Sequence, residues 1–258
     1  PAAGLSVRYL VISDLHGNRE ALEAVLREAA DRYDRAVCCG DLCDYGPDSA
    51  YTINWARTQS AAVIRGNHDR ICAGLDGMDE FTPLAQASAA WTMEHLSAPD
   101  RNYLRELPRG PMPVGDALVL AHGAPYDEDE YVTNVMEAGI VFGRLAGTDH
   151  VELPHFFGHT HLQGAFVRMG GRIRQIARPA AAQTETRIAL EPGAAYLINP
   201  GAVGQPRDGD PRAAYAIFDT VEREVSLRRT PYDLAQTQRK IEAAGLPTRL
   251  ATRLASGK

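Results

Sequence analysis

Three apolar runs of four or five residues open the chain, at Tyr9–Ser13, Ala36–Cys39 and Ala61–Ile64. All are rich in strand formers, as expected of strands buried on both faces. Between the first two, Leu22, Val25, Leu26 and Ala29 follow helical spacing within Asn18–Tyr33, and Asn18 is a good N-cap. Ser49–Gln59 reads as a shorter helix before the third run. This β-α-β-α-β order predicts a parallel sheet with right-handed crossovers, which excludes most all-β and all-α alternatives.

The rhythm breaks over residues 70–110. Helices are expected at about Leu84–Leu96 and Pro99–Leu107, and Pro108, Pro111 and Pro113 then stop helix formation. Further strands are expected at Ala117–Ala121, His155–Phe157, Phe166–Met169, Ile173–Ala177, Ala195–Asn199, Ala213–Asp219 and Val225–Arg228. Gly170-Gly171 supplies a hairpin turn. Helices are expected at Val132–Leu145 and at Leu234–Ala244, before the stop signal Gly245. Pro200–Pro211 reads as a loop inside the domain. We expect residues 1–258 to form one domain, with about 70–110 as a helical wall or cap.

Composition narrows the function. The net charge is -6, against a general nucleic-acid binder, which carries a basic face. No apolar run approaches the roughly 18 residues of a membrane span. Pro1 to Arg8 lacks the charged and apolar regions of a signal peptide. Cys38, Cys39, Cys43 and Cys72 have no two-pair zinc spacing and read as small core residues in a reducing compartment, hence a cytoplasmic expectation.

Five segments each follow an expected strand: Asp14-Leu-His16, Gly40-Asp41, Gly66-Asn67-His68-Asp69, His122-Gly123 and Gly158-His159-Thr160-His161. In α/β sheets, ligand sites form at the C-terminal strand edge, so the five should converge. Asp-x-His and His-x-His place two ligands on one side of extended backbone. Carboxylate, imidazole and amide oxygen suit Mn²⁺, Fe²⁺ or Zn²⁺. Two such ions can clamp the attacking and leaving oxygens of a displacement at phosphorus, and a shared water becomes hydroxide near neutral pH. Asp41 is the best candidate for a carboxylate that both ions reach.

Taken together, these motifs resemble the complete signature of the calcineurin-like metallophosphoesterases, over most of the chain. The resemblance implies a four-layer α/β/β/α sandwich with two mixed sheets. It implies that Asp14, His16 and His161 bind one metal and Asn67, His122 and His159 the other, with Asp41 bridging. His68 would face the substrate and protonate the leaving group. Asn199–Pro211 and Gly40–Pro47 are similar to the compact bacterial and archaeal branch, predicted phosphodiesterases or phosphatases of broad substrate range. Asp41-x-x-Asp44 is similar to Ser/Thr protein phosphatases, where the second Asp orients the catalytic His. The chain departs from them at Tyr45, where they carry a phosphate-gripping Arg.

Some residues keep two readings. Asp44 orients His68 or starts the turn before Gly46-Pro47. Asp69 competes for that role or caps the following helix. His68 itself could be structural. Arg207 grips phosphate as a bidentate donor or closes its loop against Asp208 or Asp210. His95, His150 and His155 read as structural, and Arg168, Arg172, Arg174 and Arg178 as a solvated strand face. The function expected is hydrolysis of small phosphodiesters or nucleotide-like phosphate esters by attack of a metal-bridging hydroxide. A dinucleoside polyphosphate hydrolase or protein phosphatase is the alternative enzyme, and a catalytically silent binding scaffold the alternative of another class. A nuclease would need a basic groove. Oligomeric state is not written in these motifs.

Overall fold

The structure, a computed structural model, describes residues 7–148 and 150–258. The expectation for the first residues therefore falls mostly outside the described ones. No described helix is long and apolar enough to cross a membrane.

The chain starts as expected, with β1 (Arg8–Ile12), α1 (Arg19–Ala29), β2 (Arg35–Cys38), α2 (Ser49–Gln59) and β3 (Ser60–Val63). Asn18 caps α1 through a 3.1 Å bond from the Ala21 N–H. That helix ends before Tyr33, because Asp34 turns back to accept the Arg8 N–H at 2.8 Å. Three helices follow: α3 (Asn67–Cys72), α4 (Pro83–His95) and α5 (Ala98–Glu106). Next come β4 (Met112–Val114), β5 (Leu118–Leu120), α6 (Val135–Leu145), β6 (His155–Phe156), β7 (Gly164–Met169) and β8 (Arg172–Ala177). The chain closes with β9 (Glu185–Ala189), β10 (Ala195–Asn199), β11 (Ala213–Asp219), β12 (Glu224–Thr230), α7 (Leu234–Ala243) and α8 (Thr248–Leu254).

Four of these, α3, β4, β9 and α8, go beyond what the sequence predicts, and each has a reason. β4 carries Pro113 in its middle, which a strand tolerates only at an edge, and β4 is an edge of its sheet. β9 is likewise an edge and fully buries only Ile188, so it lacks a strong apolar pattern. α3 and α8 have six and seven residues, too few to show helical periodicity. The expected helix from Val132 begins instead after Asn134, whose side chain accepts the Met136 and Glu137 N–H groups.

The strands form two mixed six-stranded sheets, ordered β3-β2-β1-β11-β12-β9 and β4-β5-β6-β10-β7-β8. β1, β2 and β3 are parallel in the first, and β5, β6 and β10 in the second. Residue alternation sorts the layers. Tyr9, Val11 and Val37 point between the sheets, where they meet Leu120, Phe156, Val167 and Ile198 of the second. Leu10 and Ile12 point the other way, onto Leu22, Val25, Ile53 and Trp55 of α1 and α2. On the far side, Phe166 and Leu197 cover Val141 and Phe142 of α6. The result is the four-layer α/β/β/α sandwich, each buried large apolar side chain contributing about 1.5–3 kcal/mol. In both sheets the parallel strands end at the same edge of the sandwich, and the loops that follow meet there.

Candidate metal centre

Backbone hydrogen bonds tie these loops together. The Asp14 and His16 N–H groups donate to the oxygens of Gly40 and Asp41, at 3.0 and 3.1 Å. Gly158 N–H donates to His122 O at 2.7 Å and Gly204 N–H to Asp14 O at 2.9 Å. Two glycines are required by close approach. A Cβ on Gly66 would lie 2.1 Å from Asp41 Oδ1, and one on Gly158 1.9 Å from Ser13 Oγ and 2.7 Å from Asp14 Oδ2. Asp14, His16, Asp41, Asp44, Tyr45, His159 and His161 all have φ between 46° and 74°, and Arg223 is the sole other described non-glycine residue with positive φ. Asp and His tolerate this left-handed region better than most, but it still costs of order 1 kcal/mol per residue, so backbone strain is concentrated at this one place.

All seven expected metal ligands come together and are buried. Ligand atoms of Asp14, His16, Asp41 and His161 lie within 4.8 Å of one another, as do those of Asp41, His122 and His159. Either group could hold a metal ion, and Asp41 belongs to both. Asn67 joins the second group, its Oδ1 3.1 Å from both His122 Nε2 and His159 Nδ1.

The imidazole tautomers are set from outside the cluster. Nδ1 of His16, His122 and His161 faces the backbone oxygens of Cys43, Cys39 and Gln205, at 3.0, 2.8 and 2.6 Å. A carbonyl can only accept, so each Nδ1 carries hydrogen and each Nε2 points inward, as a lone pair on His16 and His161 and, once its proton is given up, on His122. His159 is reversed: Nε2 donates to Asp129 O at 3.1 Å, leaving Nδ1 inward. The Nε2 atoms of His16 and His161 therefore face each other at 3.2 Å. Asp14 Oδ2 is buried with no donor, and Asp41 Oδ2 is buried with the His122 Nε2 atom facing it at 3.3 Å. Inward lone pairs and buried carboxylate oxygens are a donor set that calls for cations.

Titration reflects the same crowding. Burial drives His16 and His161 down and His159 down to about 3. His122 goes the other way, up to about 10, because Asp41 and Asp14 outweigh its burial. Asp14 and Asp41 are held low despite burial by the histidines around them.

His68 stands beside the cluster. Its backbone N–H donates to Asp41 Oδ1 at 2.9 Å, and its Nδ1 lies 2.6 Å from Asp44 Oδ2. Burial opposes a charge on His68, yet Asp41 and Asp44 raise its pKa above the ordinary value. The other oxygen of Asp44 accepts from Tyr45 N–H, Ser88 Oγ and Thr92 Oγ1. Sequence reasoning misses Ser88 and Thr92, although two buried polar residues one turn apart on α4 are a usable signal. Asp69 does not touch His68. It accepts from the N–H groups of Gly66, Leu42 and Cys43, and so caps α3 and fixes the Asp41 loop.

A cavity of about 550 Å³ opens over the cluster, lined by His68, Phe81, Asp129, Tyr131, His159 and Arg207 among others. Arg207 does not close its loop through the neighbouring acids. Asp208 pairs with Arg229 and Arg178, and Asp210 with Arg212 and Arg178. The remaining sequence candidates lie elsewhere. His95 stacks on Trp91 at 3.8 Å, His150 is exposed, and His155 is buried in β6, bonded to Leu153 O. Arg172 and Arg174 are solvated, whereas Arg168 bonds Phe142 O at 2.7 Å and Arg178 braces the Asp208 loop. The four cysteines are free and buried.

Fold and cluster together define a two-sheet sandwich with a carboxylate-imidazole centre at the shared strand edge. The chain belongs to the calcineurin-like phosphoesterase superfamily, whose domain matches residues 7–223. It is 30% identical to an uncharacterized protein of Methanocaldococcus jannaschii, over 96% of this chain and 97% of that one. It is similar to the crystal structure of a metallophosphoesterase from Sphaerobacter thermophilus, with 36% identity and a TM-score of 0.84, over 98% of this chain and all of the other. A hypothetical protein from Pyrococcus horikoshii shares the fold at 18% identity, with a TM-score of 0.75 over 98% of this chain and 99% of that one.

Proposed function

We propose that this chain is a dinuclear metal-dependent phosphoric ester hydrolase acting on small phosphodiesters or nucleotide-like phosphate esters. The observation that carries the reading is the place of Asp41 in both ligand groups, its buried Oδ2 3.6 Å from His16 Nε2 and 3.3 Å from His122 Nε2. Asp14, His16 and His161 would hold one ion, and Asn67, His122 and His159 the other. The imidazole-rich set favours Mn²⁺ or Fe²⁺, then Zn²⁺, over Mg²⁺, which prefers oxygen ligands. Bound there, two such ions would polarise the phosphoryl oxygens and acidify an attacking water.

The chain's own residues supply the rest. His68 donates its Nδ1 hydrogen to Asp44, so its Nε2 proton is the one available to the cavity. The attacking water gives one proton to solvent and its oxygen bonds to phosphorus, the ester P–O bond breaks, and the departing alkoxide takes the His68 proton. Asp44, braced by α4, keeps the ring aimed and supports its charge. Arg207 meets the phosphoryl oxygens. Helix α3, the loop after it and the start of α4 form the wall over the cavity, with α5 packed behind α3 within one domain, and Phe81 limits what enters. The acidic residues Asp76, Asp79 and Glu80 along the cavity disfavour nucleic acid as substrate. The free, buried thiols fit a reducing compartment such as the cytoplasm.

The test is turnover of bis(4-nitrophenyl) phosphate with a parallel metal count. Chelator-stripped protein should be inactive, and Mn²⁺ should restore activity better than Mg²⁺. Asp41→Asn should lose both ions. Equal turnover before and after verified metal removal would sink the reading, and no turnover by fully loaded protein would favour the silent scaffold.

A further inference from the structure

One buried carboxylate near the cavity gathers three arginines. Glu128 is 5% exposed, and its two oxygens meet Arg65 at 3.3 Å, Arg109 at 3.6 Å and Arg70. Arg70 also grips the Asp129 carboxylate with two N–H groups, at 3.0 and 3.1 Å, and lies 3.2 Å from Asp76. The three cations face three carboxylates, so the group balances its own charge. A buried carboxylate held this way is a firm anchor, because removing it leaves its arginines without a counter-charge.

The anchor ties together one half of the metal centre. Arg65 and Arg70 flank Asn67, the first before α3 and the second within it. Glu128 itself belongs to the loop that leaves His122. That loop folds over Gly123: the Ala124 N–H donates to the Glu130 oxygen at 3.1 Å, and a Cβ on Gly123 would lie 2.7 Å from the backbone oxygens of both Glu128 and Glu130. The adjacent Asp129 accepts the His159 Nε2 hydrogen on its backbone oxygen at 3.1 Å, and the Tyr131 ring lies 4.2 Å from that imidazole. Asn67, His122 and His159 are thus all linked to Glu128 through their surroundings. Asp14, His16 and His161 are held otherwise, by bonds to the backbone oxygens of Gly40, Cys43 and Gln205. Among the described residues, none of these three ligands bonds to Glu128 or its arginines.

We propose that Glu128 is a positioning residue for one metal ion and not for the other: through Arg65 and Arg70 on one side and the Asp129 oxygen on the other, it sets the spacing of Asn67, His122 and His159. The inference rests on the dinuclear reading above and makes the two ions unequal. Groups that orient a ligand from behind change metal affinity about 10–100-fold.

Calorimetric titration of metal-free protein with Mn²⁺, read beside the electron paramagnetic resonance of the same samples, tests it. Native protein should take up two ions and give the broadened signal of a spin-coupled pair. Glu128→Gln keeps the shape of the side chain and removes its charge. It should bind one ion with native affinity and the other about 10–100-fold more weakly, so that the six-line signal of an isolated ion appears. Glu128→Asp should recover part of the loss. Asp129→Asn keeps its backbone oxygen on His159 and loses only the pair with Arg70, so it should weaken the same ion by less. That milder variant decides the matter if the Glu128 variants do not fold. Adding His159→Ala to Glu128→Gln should cost no further tightly held ion, and adding His161→Ala should remove the one that remains. Both ions weakened alike, or both kept at native affinity while only the thermal stability of metal-free protein falls, would overturn the proposal and leave Glu128 a packing anchor. Native protein that binds fewer than two ions would overturn the dinuclear reading and the proposal with it.

Discussion

In the proposed reaction, His68 is the residue at which general-acid chemistry and metal chemistry can be separated. Its ring is held by Asp44 at 2.6 Å, while its backbone N–H, not its side chain, is what engages Asp41. Removing the imidazole should therefore leave the metal ligands in place. An alkoxide leaving group needs a proton and a nitrophenolate hardly does. We expect His68→Ala to slow alkyl esters by roughly 10²–10⁴-fold more than nitrophenyl esters. Asp44→Asn should show the same selectivity in weaker form, since it leaves the imidazolium without its charged partner. Both variants should retain two ions. Equal slowing of both ester types, with metal content intact, would reject the acid role.

Helix α4 controls this pair from a distance. Ser88 and Thr92 lie one turn apart on its buried face and both donate to Asp44 Oδ1. They hold the carboxylate so that Oδ2 is free for His68, and stabilise its charged form. Losing one such bond to a charged acceptor costs about 1.5–3 kcal/mol where the acceptor stays unsatisfied. Ser88→Val should thus lower kcat on alkyl esters about tenfold, with the metal count unchanged. The Asp44 carboxylate would lose an anchor and aim the imidazole less firmly, so the pH profile should move as well. A drop in thermal stability with unchanged kcat and unchanged pH profile would assign Ser88 to packing alone.

The whole molecule should be sensitive to mild acid, and one cause lies away from the cavity. His155, in the central strand β6, is driven down to about 4 by burial. In the unfolded chain it titrates near 6.5. Between those values the unfolded state binds a proton that the native state refuses. Stability from this group is therefore complete above about pH 6.5 and lost as pH falls toward 4, by about 3 kcal/mol in all. Asp69 works in the opposite sense. Burial and Asp41 raise it to about 6, so its contribution is lost as pH rises through that value. The difference between native protein and His155→Phe in denaturant unfolding across pH 4 to 7 isolates the histidine. A native-minus-variant difference that does not shrink as pH falls over that range would refute this account.

Much of the centre is legible in the sequence by itself, because its candidate ligands sit in short motifs directly after strands. The alternation of apolar runs with helical spacing identifies those strands, and the parallel order requires their ends to share one edge. That reasoning needs only local periodicity and the handedness of crossovers, and it brings forward Asp14, His16, Asp41, Asn67, His68, Asp69, His122, His159 and His161; the separation of seven ligands from His68, and the role of Asp44, come from the family resemblance. Local periodicity cannot decide pairings that depend on side chains distant in sequence. Whether Asp44 or Asp69 serves His68 turns on the path of one loop, and the tertiary structure gives Asp69 to backbone N–H groups and Asp44 to the ring. Arg207 is undecided in the sequence for the same reason: its nearest acids are claimed by Arg178, Arg212 and Arg229, from β12 and flanking loops. The strand edges β4 and β9 and the short helices α3 and α8 have too little buried surface to leave a pattern. They form because neighbours already in place supply their hydrogen bonds and contacts. Ser88 and Thr92 belong to this second category, ordinary helix residues until folding brings α4 against the Asp44 loop.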